Sequence, residues 1–181
     1  GGFLKPDLMT FAKGFTGAML PMSGVAVASN LHKHFQTNSI GYGSTYQAHP
    51  MAAAMAIGTI ETIQSERVIE NVTTLEPALR RHMNNLSKLP LFRSNFRLYG
   101  FFGCMEIQQG DDGEENQGII ESFADNLRRN GIIHMFRPPL FHIAPPLVST
   151  KEDLDTVFER ITIAANDTVK RYRVLEYNDR K

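Results

Sequence analysis

Lys13 is the residue of this chain whose type and position are best suited to covalent chemistry. It follows a short apolar run at residues 8–12 and precedes a turn that contains Gly14 and Gly17. A lysine held at the end of a buried strand loses hydration, which favours the uncharged amine that attacks carbonyl groups in Schiff-base chemistry. The alternative is a lysine whose ammonium group reaches solvent while its methylene groups cover apolar surface. The residues alone leave both interpretations open.

A second candidate is the run Gly43-Ser44-Thr45-Tyr46, which precedes a predicted helix beginning at Pro50. Small residues with free N–H groups, neighbouring hydroxyls and a helix N-terminus are suited to binding a phosphate group. The run lacks the Gly-x4-Gly-Lys-Ser/Thr spacing of a P-loop. Loops of this composition are common, so an ordinary turn is the alternative interpretation.

Arg137 is a third candidate, since it lies in an otherwise apolar stretch beside Pro138 and Pro139. A guanidinium group there could bind a substrate carboxylate through two parallel hydrogen bonds. A surface arginine at the end of a strand fits the local sequence equally well. The six histidines and the single cysteine show no metal-site spacing with a third ligand, so we expect no metal ion.

Hydrophobic periodicity predicts the elements that must position these residues. Short apolar runs predict strands at residues 8–12, 23–29, 96–107, 132–136 and 140–144, the first two of them buried. Amphipathic spacing and capping signals predict helices at residues 30–35, 50–65, 66–89, 116–130 and 151–172, with an acidic turn at 110–115 and a polar tail from 175. The order indicates an α/β protein that divides near residue 65.

The overall composition excludes several classes of protein. The 181 residues include 19 Lys+Arg and 19 Asp+Glu, so the formal net charge is zero. A broad nucleic-acid surface needs a basic excess, which this chain lacks. No apolar run reaches the roughly 18 residues that span a bilayer, and one cysteine allows no internal disulfide. We therefore expect neither nucleic acid nor membrane among the partners.

The charge is distributed unevenly along the chain. Residues 1–65 carry only five charged side chains: Lys5, Asp7, Lys13, Lys33 and Glu61. Surfaces of free-standing domains usually carry many more. We interpret residues 1–65 as packed against protein outside this sequence, either a preceding portion or a second subunit. The alternative is a buried segment of a single compact domain.

Four segments, in the same order as in the family, resemble class III aminotransferases, which are fold-type I enzymes that use pyridoxal 5′-phosphate (PLP). Residues 6–25 resemble the segment that carries the cofactor lysine, and residues 43–50 resemble the Gly-x-Thr-Tyr-x-x-His-Pro loop. Residues 97–102 with Glu106 are similar to the Arg-x-x-Gly-Leu strand, and residues 144–147 match a C-terminal signature. Two positions depart from the pattern: Tyr42 replaces the usual histidine, and His142 stands where many relatives have arginine.

The resemblance implies a role for each candidate. Lys13 would form the Schiff base with PLP and then move the proton as general base and acid. Thr45, with Ser44 beside it, would bind the PLP phosphate, and in this family it does so from the neighbouring subunit of a homodimer. Arg137 would bind the substrate carboxylate. Residues 1–65 would be the end of the large PLP-binding domain, and residues 66–181 the small C-terminal α/β domain.

The function implied is transfer of an amino group from an ω-amino acid or amine to pyruvate or another keto acid. The compartment expected is the cytoplasm, with the mitochondrion as the alternative. We expect the chain to be part of a longer enzyme and inactive as an isolated piece. Two alternatives stay open: a class III aminomutase, and a truncated chain that dimerises without catalysis. Substitution of Lys13 would separate the enzyme from the non-catalytic chain.

Overall fold

The computed structural model of the chain describes residues 5–109 and 113–172. Helices and small sheets are mixed, which confirms the α/β class. The chain forms two compact units, residues 1–67 and 68–181. Their assignment to the end of a large domain and to a small domain stays a prediction. Part of the acidic turn at 110–115 and the whole polar tail from 175 lie outside the described residues.

Among residues 5–67, the first unit contains a two-stranded hairpin, a short 3-10 helix and two α-helices. Strands β1 (Leu8–Phe11) and β2 (Gly24–Val27) pair antiparallel, with Phe11 opposite Gly24. A short 3-10 helix (Lys13–Thr16) follows β1. Helices α1 (Ser29–Phe35) and α2 (Pro50–Ser65) come after β2. Pro50 is the first residue of α2, as predicted, because proline fits the first helical turn, where its missing N–H costs no hydrogen bond.

The two strands predicted to be buried are exposed in this chain. Leu8 is 57% exposed and Val25 is 55% exposed. Among the described residues of the unit, only Thr16, Ala52 and Ala56 are buried. The prediction of burial was wrong for this chain, because an apolar strand is buried only where another surface packs against it. A hairpin of two four-residue strands supplies none for its own faces.

Among residues 68–109 and 113–172, the second unit contains three helices and a three-stranded antiparallel sheet. The sheet order is β3 (Phe92–Tyr99), β4 (Phe102–Ile107), β5 (Leu140–Ile143). The helices are α3 (Val68–Leu86), α4 (Gly113–Arg129) and α5 (Lys151–Arg171).

Two strand predictions for the second unit were wrong in detail, whereas the long helix predicted at 66–89 was confirmed as α3. Residues 96–107 form a hairpin rather than one strand, because Gly100 adopts a left-handed backbone (φ +54°) that reverses the chain. Residues 132–136 form no strand, and only an isolated bridge joins Arg137 to Leu140. Pro77 lies inside α3 without ending it.

The hydrophobic core belongs to the second unit. The rings of Phe92, Phe123 and Phe141 meet with centroids 5.2–5.7 Å apart. Around them pack fully buried side chains from the three helices, including Leu79, Leu127 and Leu154. This core holds the sheet in place, and Arg137 lies just before strand β5 of that sheet.

Candidate active site

Lys13 lines a cleft of about 1060 Å³ that lies wholly within the first unit. One wall is formed by the segment from Lys13 to Val25. The other is formed by residues of the loop before α2 and by Ala52 of α2 itself. Ser44 is part of the second wall, so the structure brings Lys13 and Ser44 to the same cleft.

The 3-10 helix holds Lys13 at the edge of this cleft. Ala12 is extended (φ −165°), and Lys13 then turns sharply with φ +58°. Thr16 is fully buried, and its hydroxyl donates a hydrogen bond of 2.6 Å to the carbonyl of Leu20. The helix packs against α2, where a Cβ added to Gly17 would lie 3.4 Å from Thr59 Oγ1. The backbone that carries Lys13 is therefore anchored on α2.

The Lys13 side chain itself is exposed, contrary to the predicted loss of hydration. The reason is the exposure of β1, which precedes it and offers no apolar cover. No hydrogen bond or ion pair of the ammonium group is found among residues 5–109 and 113–172. The amine is thus available to a molecule in the cleft.

The opposite wall is a closed turn at the entrance to α2. Gln47 donates its N–H to the carbonyl of Ser44 at 3.0 Å, and the side-chain oxygen of Gln47 accepts the N–H of Ser44 at 3.2 Å. Tyr42 and Tyr46, 78% and 82% exposed, flank this turn and line the cleft. Thr45 lies in the turn but not among the lining residues.

The charges around the cleft suit an anion. Its lining includes Lys13 and His49 and no carboxylate. The first turn of α2, whose N-cap is His49, also carries no acidic residue. A helix N-terminus attracts negative charge through its free N–H groups and its dipole. The donors present therefore fit the phosphate of PLP, and Lys13 supplies the amine that its aldehyde requires.

Arg137 belongs to the second unit and is exposed. Its carbonyl accepts the N–H of Leu140 at 2.8 Å, which closes the turn into β5. No ion pair engages its guanidinium group within the part of the chain that the structure describes. The group is available to a carboxylate, and its role stays a prediction.

Sequence reasoning missed the residues that shape the cleft. Ala18 and Ala48 both line it with positive φ values, +62° and +53°. Alanine carries no sequence signal for a left-handed backbone, since glycine and asparagine are the residues that usually adopt it. Tyr42 and Tyr46 lie at or within the loop that resembles the family motif, but nothing in the sequence indicated that they line the same cleft as Lys13.

Residues 5–109 and 113–172 contain no group of three or more His, Cys, Asp or Glu side chains arranged to hold a metal ion. In the same residues, no helix combines the length and the apolar character needed to cross a bilayer.

Comparison with known proteins identifies the family. The sequence profile of the family described as "Aminotransferase class-III" matches residues 3–164. The chain therefore belongs to the class III aminotransferase family, whose members depend on PLP.

Curated relatives extend well beyond this sequence. The chain is 32% identical over 164 residues to putrescine–pyruvate aminotransferase of Pseudomonas aeruginosa, covering 88% of this chain and 35% of that protein. It is 26% identical over 182 residues to gamma aminobutyrate transaminase 1, mitochondrial, of Solanum lycopersicum, covering 96% of this chain and 35% of that protein. The chain thus spans about a third of the length of the curated relatives it matches.

Solved transaminase structures share the fold. An (S)-enantioselective ω-transaminase from Thermomicrobium roseum superposes with a TM-score of 0.80 at 26% identity, covering 92% of this chain and 38% of that one. An ω-aminotransferase from Paracoccus denitrificans superposes with a TM-score of 0.83 at 22% identity, covering 93% and 39%. The second likeness concerns the fold alone.

Proposed function

We propose that this chain carries the lysine-bearing part of a PLP-dependent transaminase, which transfers an amino group from an ω-amino acid or amine to a keto acid such as pyruvate. The observation that supports the proposal is a cleft that is lined by Lys13, by the Ser44 turn and by the start of α2, and that contains no carboxylate. Relatives named as putrescine–pyruvate and gamma-aminobutyrate transaminases support this substrate class.

Each residue of the cleft has a role that follows from its chemistry. PLP, when bound, supplies the electron sink for the amine-bearing carbon. We assign the phosphate of this cleft to Ser44 and to the free N–H groups at the start of α2. We assign Thr45 of the same turn, which does not line this cleft, to the phosphate in the partner subunit's site. Lys13 Nζ is the covalent anchor and, as a free amine, accepts and returns a proton. The exposed phenols of Tyr42 and Tyr46 border the space left for substrate.

We assign substrate recognition to Arg137. Its exposed guanidinium group has the planar donor geometry that binds a carboxylate through two hydrogen bonds. This role predicts a preference for donors or acceptors that carry a carboxylate over plain amines.

We also propose that the first unit packs against a second copy of the chain in a homodimer. Its exposed apolar residues, including Leu8, Met9 and Met51, and its low charge support an interface. In such a dimer Thr45, which does not line the cleft of its own chain, would be free to act in the partner's site.

Reductive labelling tests the assignment of Lys13. The purified chain is mixed with PLP, reduced with borohydride, digested and mapped by peptide mass. We expect the phosphopyridoxyl group on Lys13 in the parent chain and its loss from that peptide in Lys13→Arg. Lys33→Arg is the matched control, because Lys33 is an exposed lysine on α1 of the same unit, and it should leave the labelling of Lys13 unchanged.

Labelling spread evenly over surface lysines would contradict the cofactor role and favour the non-catalytic alternative.

An activity assay on the longest natural protein that contains this sequence distinguishes a transaminase from an aminomutase. A transaminase needs a keto acid to complete its cycle, whereas an aminomutase turns over without one. Arg137→Ala should raise KM for 4-aminobutyrate far more than for a monoamine lacking a carboxylate.

A further inference from the structure

Left-handed backbone conformations, which residues other than glycine rarely adopt, are concentrated in the Lys13 cleft. Four non-glycine residues of the described chain have positive φ: Lys13, Ala18, Ala48 and Arg67. The first three line the cleft. Left-handed non-glycine residues are unfavourable, and they persist where the surrounding structure imposes them, often at functional sites.

Ala48 occupies the junction between the turn at residues 44–47 and helix α2. On its C-terminal side the chain has little freedom. Pro50 fixes its own φ, and a residue that precedes proline is restricted to extended conformations, as His49 is here (φ −60°, ψ 118°). On its N-terminal side, the turn is closed by the two hydrogen bonds between Ser44 and Gln47.

Helix α2 is the fixed element of this arrangement. Ala52 and Ala56 are 5% and 3% exposed, and the 3-10 helix that begins with Lys13 packs on the same helix. The carbonyl of His49 accepts the N–H of Ala53 at 3.0 Å, so the first turn of α2 is formed. The direction in which the turn leaves this helix is therefore decided at Ala48.

We propose that Ala48 is a positioning residue whose left-handed backbone holds the Ser44–Gln47 turn against the Lys13 cleft. Its methyl group forms no polar contact, so its contribution lies in the backbone angle. A residue that tolerates positive φ should keep the turn in place, whereas a β-branched residue should release or redirect it. Only the consequence for PLP rests on the proposed function; the placement of the turn does not.

A single tryptophan can report on the turn, because the chain contains none. In a Tyr46→Trp background, we would compare Ala48→Gly, Ala48→Asn and Ala48→Val. Asparagine and valine are similar in size but differ in their tolerance of positive φ. The matched series is placed at Ala26, an exposed residue paired with Met9 in the β1–β2 hairpin.

Two measurements follow the introduced indole, namely urea unfolding and fluorescence anisotropy in the native chain. At position 48 we expect Asn and Gly to keep the unfolding equilibrium within about threefold of the parent and to keep its anisotropy. Val should shift that equilibrium about tenfold toward the unfolded state, or lower the anisotropy because the turn is released. At position 26 the order should reverse, with Val at least as stable as Asn and Gly.

Equal behaviour of Asn and Val at position 48 in both measurements would overturn the proposal. A third measurement addresses PLP, by energy transfer from the introduced indole to the phosphopyridoxyl group reduced onto Lys13. We expect transfer in the Asn variant and a reduced transfer in the Val variant. Failure of the parent chain to label Lys13 would count against the proposed function alone, since unfolding and anisotropy still decide the role of Ala48.

Discussion

The two units of this chain are stabilised in different ways. The second unit contains the whole hydrophobic core cluster, with residues such as Phe123 and Leu154 completely buried. In the first unit, the buried residues among those described are Thr16, Ala52 and Ala56. Buried apolar surface contributes roughly 25 cal/mol per Å². The second unit therefore has its own stabilising core. In the first unit, small residues line a cleft and many apolar residues are exposed.

Truncation of Phe123 is the strongest test of this contrast. The ring contacts those of Phe92, Phe136 and Phe141, with centroids 5.2–5.7 Å apart, and its exposure is 0%. Phe123→Ala should lower the free energy of unfolding by about 3–5 kcal/mol, because it removes buried surface and leaves a cavity. Urea unfolding followed by circular dichroism measures the loss.

Leu8→Ala is the matched change in the first unit, at a side chain that is 57% exposed. We expect a change within about 0.5 kcal/mol in the monomeric chain. A loss at Leu8 that approaches the loss at Phe123 would show that β1 is buried in solution, and the contrast between the units would be wrong.

Helix capping gives a second and smaller contrast. At the start of α5, the Thr150 hydroxyl accepts the N–H of Asp153, and the Asp153 carboxylate accepts the N–H of Thr150. The N–H of Thr150 and the Thr150 hydroxyl both donate to the Asp153 carboxylate, and these two bonds lower the pKa of Asp153. At the start of α2, the N-cap His49 forms no such side-chain bond. Thr150→Ala should therefore cost about 1 kcal/mol of unfolding free energy, and Thr150→Ser should restore most of it.

His49→Ala is the companion variant in the first unit, and it should change stability by less than about 0.5 kcal/mol, since no capping bond is lost. Equal losses at positions 49 and 150, measured by the same urea unfolding, would mean that the two helix starts are stabilised alike.

Features coded by a few neighbouring residues were predictable from the sequence. Pro50 gave the start of α2, and the capping signals gave the start of α5 at Lys151, where Thr150 is the N-cap. The end of α4, predicted at residue 130, lies at Arg129, and Gly131 just beyond it adopts the left-handed backbone (φ +76°) that is common after helix ends. The cleft was predictable in part, because Lys13 and Ser44 stand in motifs of recognisable composition.

Features that depend on distant contacts or on unsignalled backbone angles were not predictable. The exposure of β1 and β2 depends on what packs across them, which their own sequence does not contain. Gly100 was read as part of a continuous strand, although it turns the chain between β3 and β4. Ala18 and Ala48 line the cleft with left-handed backbones, which alanine does not signal in a sequence.

A pH titration gives the smallest contrast, and it centres on His134 in the second unit. Burial lowers the pKa of His134 below its ordinary value of 6.5, opposed by the hydrogen bond to the carbonyl of His142. Since a carbonyl only accepts, Nε2 of His134 must carry the proton in that 2.7 Å bond. Nδ1 is buried and has no hydrogen-bond partner among the described residues, so protonation there adds an uncompensated charge.

The sign of the effect follows from the direction of the shift. A folded-state pKa below 6.5 means that the unfolded chain binds the proton first, so the stabilising contribution is complete above about pH 6.5 and is lost as the pH falls below it. The carboxyl groups of Glu76, Asp153 and Asp155, whose pKa values are lowered, act at more acidic pH. A window from about pH 7.5 to about pH 5 therefore separates histidine titration from that of these carboxyl groups, and the comparison of variants then assigns the effect to one histidine.

Between these limits, the free energy of unfolding should fall more steeply in the parent than in His134→Gln, which keeps a donor for the His142 carbonyl but does not titrate. The companion variant His32→Gln, at an exposed position on α1 of the first unit, should follow the parent. Parallel slopes for His134→Gln and the parent would show that His134 takes up its proton equally well in the folded and unfolded chain. A steeper slope in the parent would place the pH sensitivity in the second unit, which has the core. Among the described residues, only the imidazole of His134 is packed between two aromatic rings, those of Phe136 and Phe141.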